Sequence, residues 1–255
     1  MSSHLVSLKK FWKNKKIFLT GHTGFKGSWL IIFFHVLGAK VYGYSLKQEK
    51  LSLFNILKLN RILKKSIIGD IRNQSKLKKY LSNCKPDFLI HMAAQPLVRD
   101  SYDDPAHTFN VNANGTLNIL EAVREIKIIK NVLIITTDKV YKNKNKKNFF
   151  SESDELGGED PYSSSKACAE LICQSYSKSF FLKDKISCVT ARAGNVIGGG
   201  DWSDDRLVPD CVKSWSRNKD VILRNPSSTR PWQHVFEALS GYLFFASKLK
   251  KNSNL

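Results

Sequence analysis

An apolar run, Val132-Leu133-Ile134-Ile135, leads into Thr136-Thr137-Asp138-Lys139, and Tyr162 and Lys166 follow a loop and the start of a helix later. A tyrosine with a lysine four residues on and a threonine upstream can take a proton from an alcohol while a nicotinamide accepts the hydride. Free tyrosine, with a pKa of about 10, is a poor acceptor at neutrality; an adjacent ammonium and an oxidised nicotinamide both favour phenolate and are expected to lower Tyr162. Asp138 and Lys139 are not needed for hydride transfer. An acid beside a redox triad fits a second reaction after the oxidation, and elimination of water from a sugar is the natural one. The motif alone is weak, because 8 tyrosines and 32 lysines in 255 residues give about one Tyr-x-x-x-Lys by chance. Its position has to carry the argument.

That position comes from the alternation of elements along the chain. Apolar, β-type runs predict strands over residues 16–20, 41–46, 65–68, 87–91, 130–136 and 186–191. Between them, helices are expected over 25–37, 74–81, 105–125 and 161–181, the last opening on Pro161 as helix geometry prefers. Strands with little internal alternation, flanked by helices, describe an α/β fold with a doubly wound parallel (Rossmann) sheet buried on both faces. Tyr162 and Lys166 then share one helix face after the strand that delivers Thr137. Beyond Arg192 the pattern loosens: Gly198-Gly199-Gly200, a helix over 207–215, a strand over 221–224 and a helix over 235–249. This predicts a dinucleotide-binding domain over 1–191 and a smaller substrate-binding region over 192–255.

Gly21-His22-Thr23-Gly24-Phe25-Lys26-Gly27 lies between the first strand and its helix. Glycines there permit a tight turn, close approach of backbone to a pyrophosphate and seating of the helix on the sheet, while the helix N-terminus attracts phosphate. Gly21, Gly24, Phe25 and Gly27 are therefore cofactor-binding candidates, although the spacing is one residue wider than Gly-x-Gly-x-x-Gly. The second strand ends in Tyr44-Ser45-Leu46-Lys47, with no acid for a ribose 2′-hydroxyl, which leaves NAD and NADP both open. After the third strand, Asp70 is either a hydrogen-bond partner for an adenine amine, with Ile71 packing nearby, or a helix N-cap. Ala93 and Ala94, after the fourth strand, are small enough to admit a cofactor ribose.

The composition, 42% hydrophobic and 25% charged, is that of an ordinary globular protein. The N-terminus lacks an apolar signal core and the longest apolar stretch is too short to span a bilayer, so a cytoplasmic location without membrane attachment is expected. Five scattered cysteines without a Cys-x-x-Cys pair argue for reduced thiols and against a zinc site. The formal charge of +19 comes from 32 lysines against 9 arginines spread along the chain. Such a spread reads as compositional bias rather than a nucleic-acid track, with the cluster over residues 142–147 as a solvated loop. A basic surface still steers an acidic substrate such as a pyrophosphate-linked sugar.

The triad in this order resembles the extended branch of the short-chain dehydrogenase/reductase superfamily. Longer strings narrow the resemblance: His91-Met-Ala-Ala-Gln-Pro-Leu-Val-Arg99, Thr137-Asp-Lys-Val-Tyr141, Arg192-Ala-Gly-Asn-Val-Ile-Gly-Gly-Gly-Asp-Trp202 and Thr229-Arg-Pro-Trp-Gln-His-Val235 are similar to the CDP-glucose 4,6-dehydratases. The related dTDP-glucose enzymes carry Thr-Asp-Glu where this chain has Thr137-Asp138-Lys139, so the lysine points to the CDP-sugar group.

The resemblance implies a lyase cycle with a tightly held, recycled NAD and CDP-glucose as substrate. In it Tyr162, assisted by Thr137 and Lys166, removes the C4 hydroxyl proton, and Asp138, its pKa raised by burial, protonates the departing C6 hydroxyl. Lys139 is a base at C5, an ammonium stabilising the enolate, or a surface lysine; these stay open. Asn195, Arg206 and Arg230 stand where the family holds the diphosphate and nucleoside, with surface salt bridging as the plain alternative. The family also implies a homodimer through the helices over 105–125 and 161–181, and longer chains, so the substrate region here is expected to be incomplete. The competing readings are an epimerase or reductase on the same scaffold, a non-catalytic NAD-binding homologue and, third, a nucleic-acid binder.

Overall fold

In the computed structural model, residues 3–48, 50–143, 149–223 and 225–249 are described. The elements in order are α1 Ser3–Trp12, β1 Lys16–Thr20, α2 Phe25–Val36, β2 Lys40–Ser45, α3 Leu53–Ile56, β3 Lys65–Ile68, α4 Gln74–Cys84, β4 Phe88–His91, α5 Val98–Asp103 and α6 Pro105–Phe109. Then follow α7 Gly115–Ile126, β5 Asn131–Ile135, α8 Pro161–Tyr176, β6 Ser187–Ala191, β7 Asn195–Ile197, α9 Leu207–Trp215, β8 Trp232–His234 and α10 Val235–Lys248. The six long strands form one sheet of order β3-β2-β1-β4-β5-β6, parallel throughout. This is the expected doubly wound α/β sheet. β1 has β2 on one side and β4 on the other, so the chain reverses its winding there and opens a crevice at the carboxyl ends of β1 and β4.

The strand pleat sorts side chains into two cores. Ile17, Leu19, Ile90, Leu133 and Ile135 join α1, α2 and α10 on one face. Their neighbours Phe18, Leu89, Val132 and Ile134 join α4, α7 and α8 on the other. Every residue of β5 is buried, which is why that run reads as continuously apolar rather than alternating. α1 was not predicted from the sequence: its exposed lysines mask the anchor Trp12, which is fully buried against Phe34 at 5.2 Å and Phe88 at 4.8 Å. α10 contributes Val235, Leu239, Tyr242 and Leu243 to the same core as α1 and α2, so part of the region after residue 191 packs as a layer of the sheet.

The two long helices are helical over their expected spans, the first carrying a π-turn within it at Asn110–Asn114 and the second ending in one at Ser177–Phe181. One expected strand needs correction. No strand forms over residues 221–223, where Ile222 is 88% exposed; without a partner strand the run stays irregular, and its last predicted residue, 224, lies outside the described residues. Instead β7 and β8, neither foreseen, pair in parallel. Of the basic cluster, residues 144–148 are outside the described residues, and Lys142 pairs with Glu155 at 2.9 Å. Among the described residues no helix is long and apolar enough to cross a membrane.

Candidate active site

The nucleotide turn is built by close backbone contact. Gly21 has φ +71°, and a Cβ there would meet the Ala93 nitrogen at 2.7 Å. A Cβ on Gly27 would stand 2.2 Å from the Gly21 carbonyl oxygen, so only glycine lets α2 start this close to β1. Gly24 is the N-cap of α2 and offers no side-chain cap, which leaves first-turn amides pointing out of the helix as an anion site. Phe25 packs against the first core, its ring edge over the bare Cα of Gly198. The Thr20 hydroxyl accepts the amides of Met92 at 3.1 Å and Ala93 at 3.2 Å and donates to His91 Nδ1 at 2.7 Å. That clasp fixes the two crevice-lining strand ends, and burial holds His91 neutral, its pKa pulled down to about 3.

Asp70 is not a helix cap: Asn73 caps α4 by accepting from Lys76, and the Asp70 carboxylate is forked by Arg72, with Nε at 3.0 and 3.1 Å and Nη2 at 2.6 Å. The guanidinium beside it lowers its pKa. Ile71 is buried against Gly115 in the second core, so its side chain serves packing. At the end of β2, Thr23 and Ser45 bond to each other at 2.8 Å where an acid had been sought.

The reacting groups converge on the same edge. The Thr137 hydroxyl donates to Asp138 Oδ1 at 3.0 Å, and Thr137 lies close enough to the Tyr162 phenol to favour its phenolate form. Tyr162 departs from expectation: burial pushes its pKa up to about 12, against a lowering pull from Thr137 and Arg206. Lys166 does not offset this, because it turns to the Ile135 carbonyl at 3.2 Å, and burial together with Lys26 brings its own pKa down to about 8. Lys139 is exposed, its amide donating to Thr137 Oγ1 at 3.4 Å.

Arg206 is held by Asp201 at 2.6 Å close enough to act electrostatically on Tyr162 and Lys26. Asn195 opens β7 opposite Trp232 of β8, and its backbone amide donates to the Pro231 carbonyl at 3.1 Å, one residue after Arg230. Arg230 itself is exposed and bonds only its neighbour's carbonyl, Thr229, at 2.8 Å among the contacts described. Thus Arg206 adjoins the chemistry. Trp202 and Trp232 are 49% and 43% exposed.

Sequence reading missed four contributors. Lys26, in the first turn of α2, lies amid Asp138, Asp201, Arg206 and Lys166, and burial brings its pKa down to about 8. Tyr242 on α10 places a buried hydroxyl without a partner among the described residues near Tyr162 and Asp138. Asn112, in the first π-turn, accepts the Gln95 amide at 2.9 Å and donates to the Gln95 carbonyl at 3.0 Å and Ser165 Oγ at 2.9 Å. Ser165 in turn donates to the Tyr162 carbonyl at 2.7 Å, so this chain ties the β4 loop to the helix that carries Tyr162. Glu170, one turn after Lys166, is buried with Arg192 at 2.5 Å and accepts from Thr136 at 2.6 Å, while Arg192 covers the Tyr141 ring at 4.6 Å. That pair braces the Thr137 loop from below. The lysine inside the glycine turn was the one signal available in the sequence.

A parallel sheet of this order, a glycine turn at its switch point, and a Thr–Tyr–Lys set joined to a carboxylate define a dinucleotide-binding enzyme of the extended short-chain dehydrogenase/reductase type. The chain belongs to the family described as GDP-mannose 4,6 dehydratase, whose sequence profile matches residues 18–252. It is 48% identical over 247 residues to the CDP-glucose 4,6-dehydratase of Salmonella typhimurium, covering 94% of this chain and 68% of that protein. It is 30% identical to the CDP-paratose 2-epimerase of Salmonella typhi, over 93% of this chain and 77% of the relative. The fold matches the dTDP-glucose 4,6-dehydratase of Bacillus anthracis, solved in complex with NAD, with a TM-score of 0.78 and 24% identity over 93% of this chain and 72% of that one.

Proposed function

We propose that this chain catalyses the dehydration of CDP-glucose to CDP-4-keto-6-deoxyglucose with a bound NAD. The observation that carries the reading is the Thr137–Asp138 hydrogen bond beside Tyr162: an epimerase needs the phenol, but only an elimination needs a leaving-group acid next to it. The similarity to the Salmonella typhimurium enzyme supports CDP-glucose as the sugar nucleotide.

The cradle fits a dinucleotide, since the missing Cβ atoms of Gly21 and Gly27 and the uncapped start of α2 leave room and donors for a diphosphate. Phe25 and Lys26 amides, Ala93, Ala94, Asp70 and Lys166 would hold it. A bound NAD would supply a hydride acceptor for C4 and the hydride donor for C6. Tyr162 accepts the C4 hydroxyl proton, and a positive charge brought beside the buried phenol offsets the burial that now keeps it protonated. The ketone at C4 acidifies C5, where Lys139 acts as base or as the ammonium that stabilises the enolate. Asp138 protonates the C6 oxygen, which leaves as water. Arg206, Asn195 and Arg230 bind the substrate diphosphate and nucleoside, arginine by its bidentate fork. The division into a cofactor part over 1–191 and a substrate part over 192–255, a homodimer through α6 to α8, where Leu171 is 54% exposed, and a cytoplasmic location belong to the same proposal.

The test is to incubate the purified protein with NAD and CDP-glucose and read the 4-keto sugar by its absorbance in alkali, with dTDP-glucose in a parallel arm. Keto-sugar from CDP-glucose in preference to dTDP-glucose is expected. An epimerised sugar, or no product, would overturn the reading.

A further inference from the structure

The groups that act on the sugar in the proposed cycle sit on two separate pieces of chain. Tyr162 and Lys166 stand on α8, whereas Thr137, Asp138 and Lys139 stand on the short turn that follows β5. Oxidation at C4 and loss of water across C5–C6 use both pieces on one bound sugar. Their relative placement therefore has to be fixed to well under about 1 Å.

One buried ion pair reaches that turn at both of its ends. Glu170 follows Lys166 by one helical turn on the same face of α8 and is buried. Its carboxylate takes four donors: Thr136 Oγ1 at 2.6 Å and Arg192 Nε at 2.8 Å on Oε1, Arg192 Nη2 at 2.5 Å and Thr190 Oγ1 at 3.3 Å on Oε2. Those bonds fill its acceptor sites, so Glu170 has none left for substrate. Thr136 is the residue just before the turn. Arg192 lays its guanidinium over the ring of Tyr141, the residue just after it, at 4.6 Å. The backbone repeats the arrangement on either side of Arg192, the Thr136 amide donating to the Ala191 carbonyl at 2.9 Å and the Asp138 amide to the Ala193 carbonyl at 3.1 Å. α8 has further anchors that bypass the pair, the Asp160–Ser163 capping box and the Asn112–Ser165 bond at 2.9 Å. Among the described residues the Asp138 side chain has only the Thr137 hydroxyl as a hydrogen-bond partner.

We propose that Glu170 and Arg192 are positioning residues that hold the Thr137–Val140 turn in place against α8, and that the elimination depends on them more than the oxidation does. This rests on the dehydratase reading. When the pair loses its grip on the turn, Tyr162 keeps its place through the other anchors of α8, and oxidation at C4 proceeds. Asp138 moves with the turn, and its carboxyl no longer lines up with the C6 oxygen. A misplacement of about 1 Å costs on the order of 10²-fold, and releasing one of the two ends costs part of that. Arginine suits the task because two parallel hydrogen bonds fix its plane against Glu170, and that plane in turn seats the Tyr141 ring.

The experiment cuts the pair from the turn at each end and leaves the pair whole, since removing either partner would strand a buried charge. Wild type, Thr136→Val, Thr136→Ser, Tyr141→Leu and Tyr141→Phe are compared in single turnover with NAD and CDP-glucose. Reduced nicotinamide is followed by absorbance and keto-sugar by quench, with Tm measured alongside. In Thr136→Val and in Tyr141→Leu, reduced nicotinamide is expected to form at close to the wild-type rate and to decay about tenfold more slowly. Thr136→Ser, which keeps the hydroxyl, and Tyr141→Phe, which keeps the ring, should restore the decay. Tyr141 is partly exposed, so that arm stands if the buried Thr136→Val fails to fold. If both steps slow together, or neither slows whatever happens to Tm, the pair is only part of the packing and the positioning role is wrong. The same follows if the conservative variants behave like the disruptive ones. Absence of keto-sugar from wild type overturns the dehydratase reading and the positioning role with it, whereas keto-sugar from wild type with an unaltered ratio of the two rates in the variants overturns the positioning role alone.

Discussion

At the scale of single residues, Asp138 and Lys26 divide the chemistry from its electrostatic setting. Replacing Asp138 with Asn keeps the shape and removes the transferable proton, so product formation is expected to fall about 10²–10⁴-fold, the usual weight of general acid–base catalysis. Reduced-nicotinamide absorbance should build up on adding CDP-glucose, since oxidation precedes the blocked step; product at the wild-type rate would contradict the role. Lys26 makes the opposite kind of statement. Its pKa falls from 10.5 in the free side chain to about 8 in the fold. Below about pH 8 both states are protonated and the buried charge costs stability; the cost fades as pH rises from about 8 to 10.5, where only the unfolded chain holds the proton. Lys26→Met should therefore raise Tm at neutral pH by about 2–4 °C, on the order of 1 kcal/mol, while lowering turnover. A lower Tm would show that its ion contacts with Asp138 and Asp201 outweigh burial.

At the scale of elements, α2 and the helices around α8 position everything named above. A methyl group on Gly27 would have to push α2 away from the Gly21 carbonyl, 2.2 Å from the new atom. Gly27→Ala should cost about 2–4 kcal/mol, read as a fall in urea midpoint, and should weaken NAD binding, read by fluorescence quenching, because the helix start moves with it. Unchanged NAD affinity in a folded variant would mean that the cradle lies elsewhere. The glycine spacing, the strand before it and the Tyr162–Lys166 face were all legible from local pattern. The π-turn at Asn110–Asn114 was not: one extra residue in a helical turn leaves no mark in hydrophobic periodicity, yet it brings Asn112 to Gln95 and Ser165.

At the scale of the whole molecule, acid should unfold the protein through two imidazoles. His22 and His91 sit at the sheet edge and are held neutral by burial, with pKa values near 4 and 3 against 6.5 when free. Between those values the unfolded chain binds protons that the fold refuses, so stability falls as pH drops below about 6.5, by up to about 1.4 kcal/mol per pH unit for each histidine. Urea midpoints between about pH 7 and pH 4.5 should show that slope, and His91→Asn should flatten it by roughly one histidine's share. A slope that is unchanged in the variant would assign the acid sensitivity to other groups.

The six strands of the sheet with the helices between them, the glycine turn and the shared face of Tyr162 and Lys166 were legible in the sequence, because each is written in local periodicity or in spacing within one element, whereas α1, β7 and β8 were not. Tertiary structure decided what those groups experience. Whether Tyr162 is lowered by Lys166 or raised by burial depends on which carbonyl the lysine finds, and it finds Ile135. Lys26, Tyr242, Asn112 and the Glu170–Arg192 brace reach the crevice from positions 26 to 242, and only the folded sheet edge brings groups so far apart along the chain within hydrogen-bonding and electrostatic range.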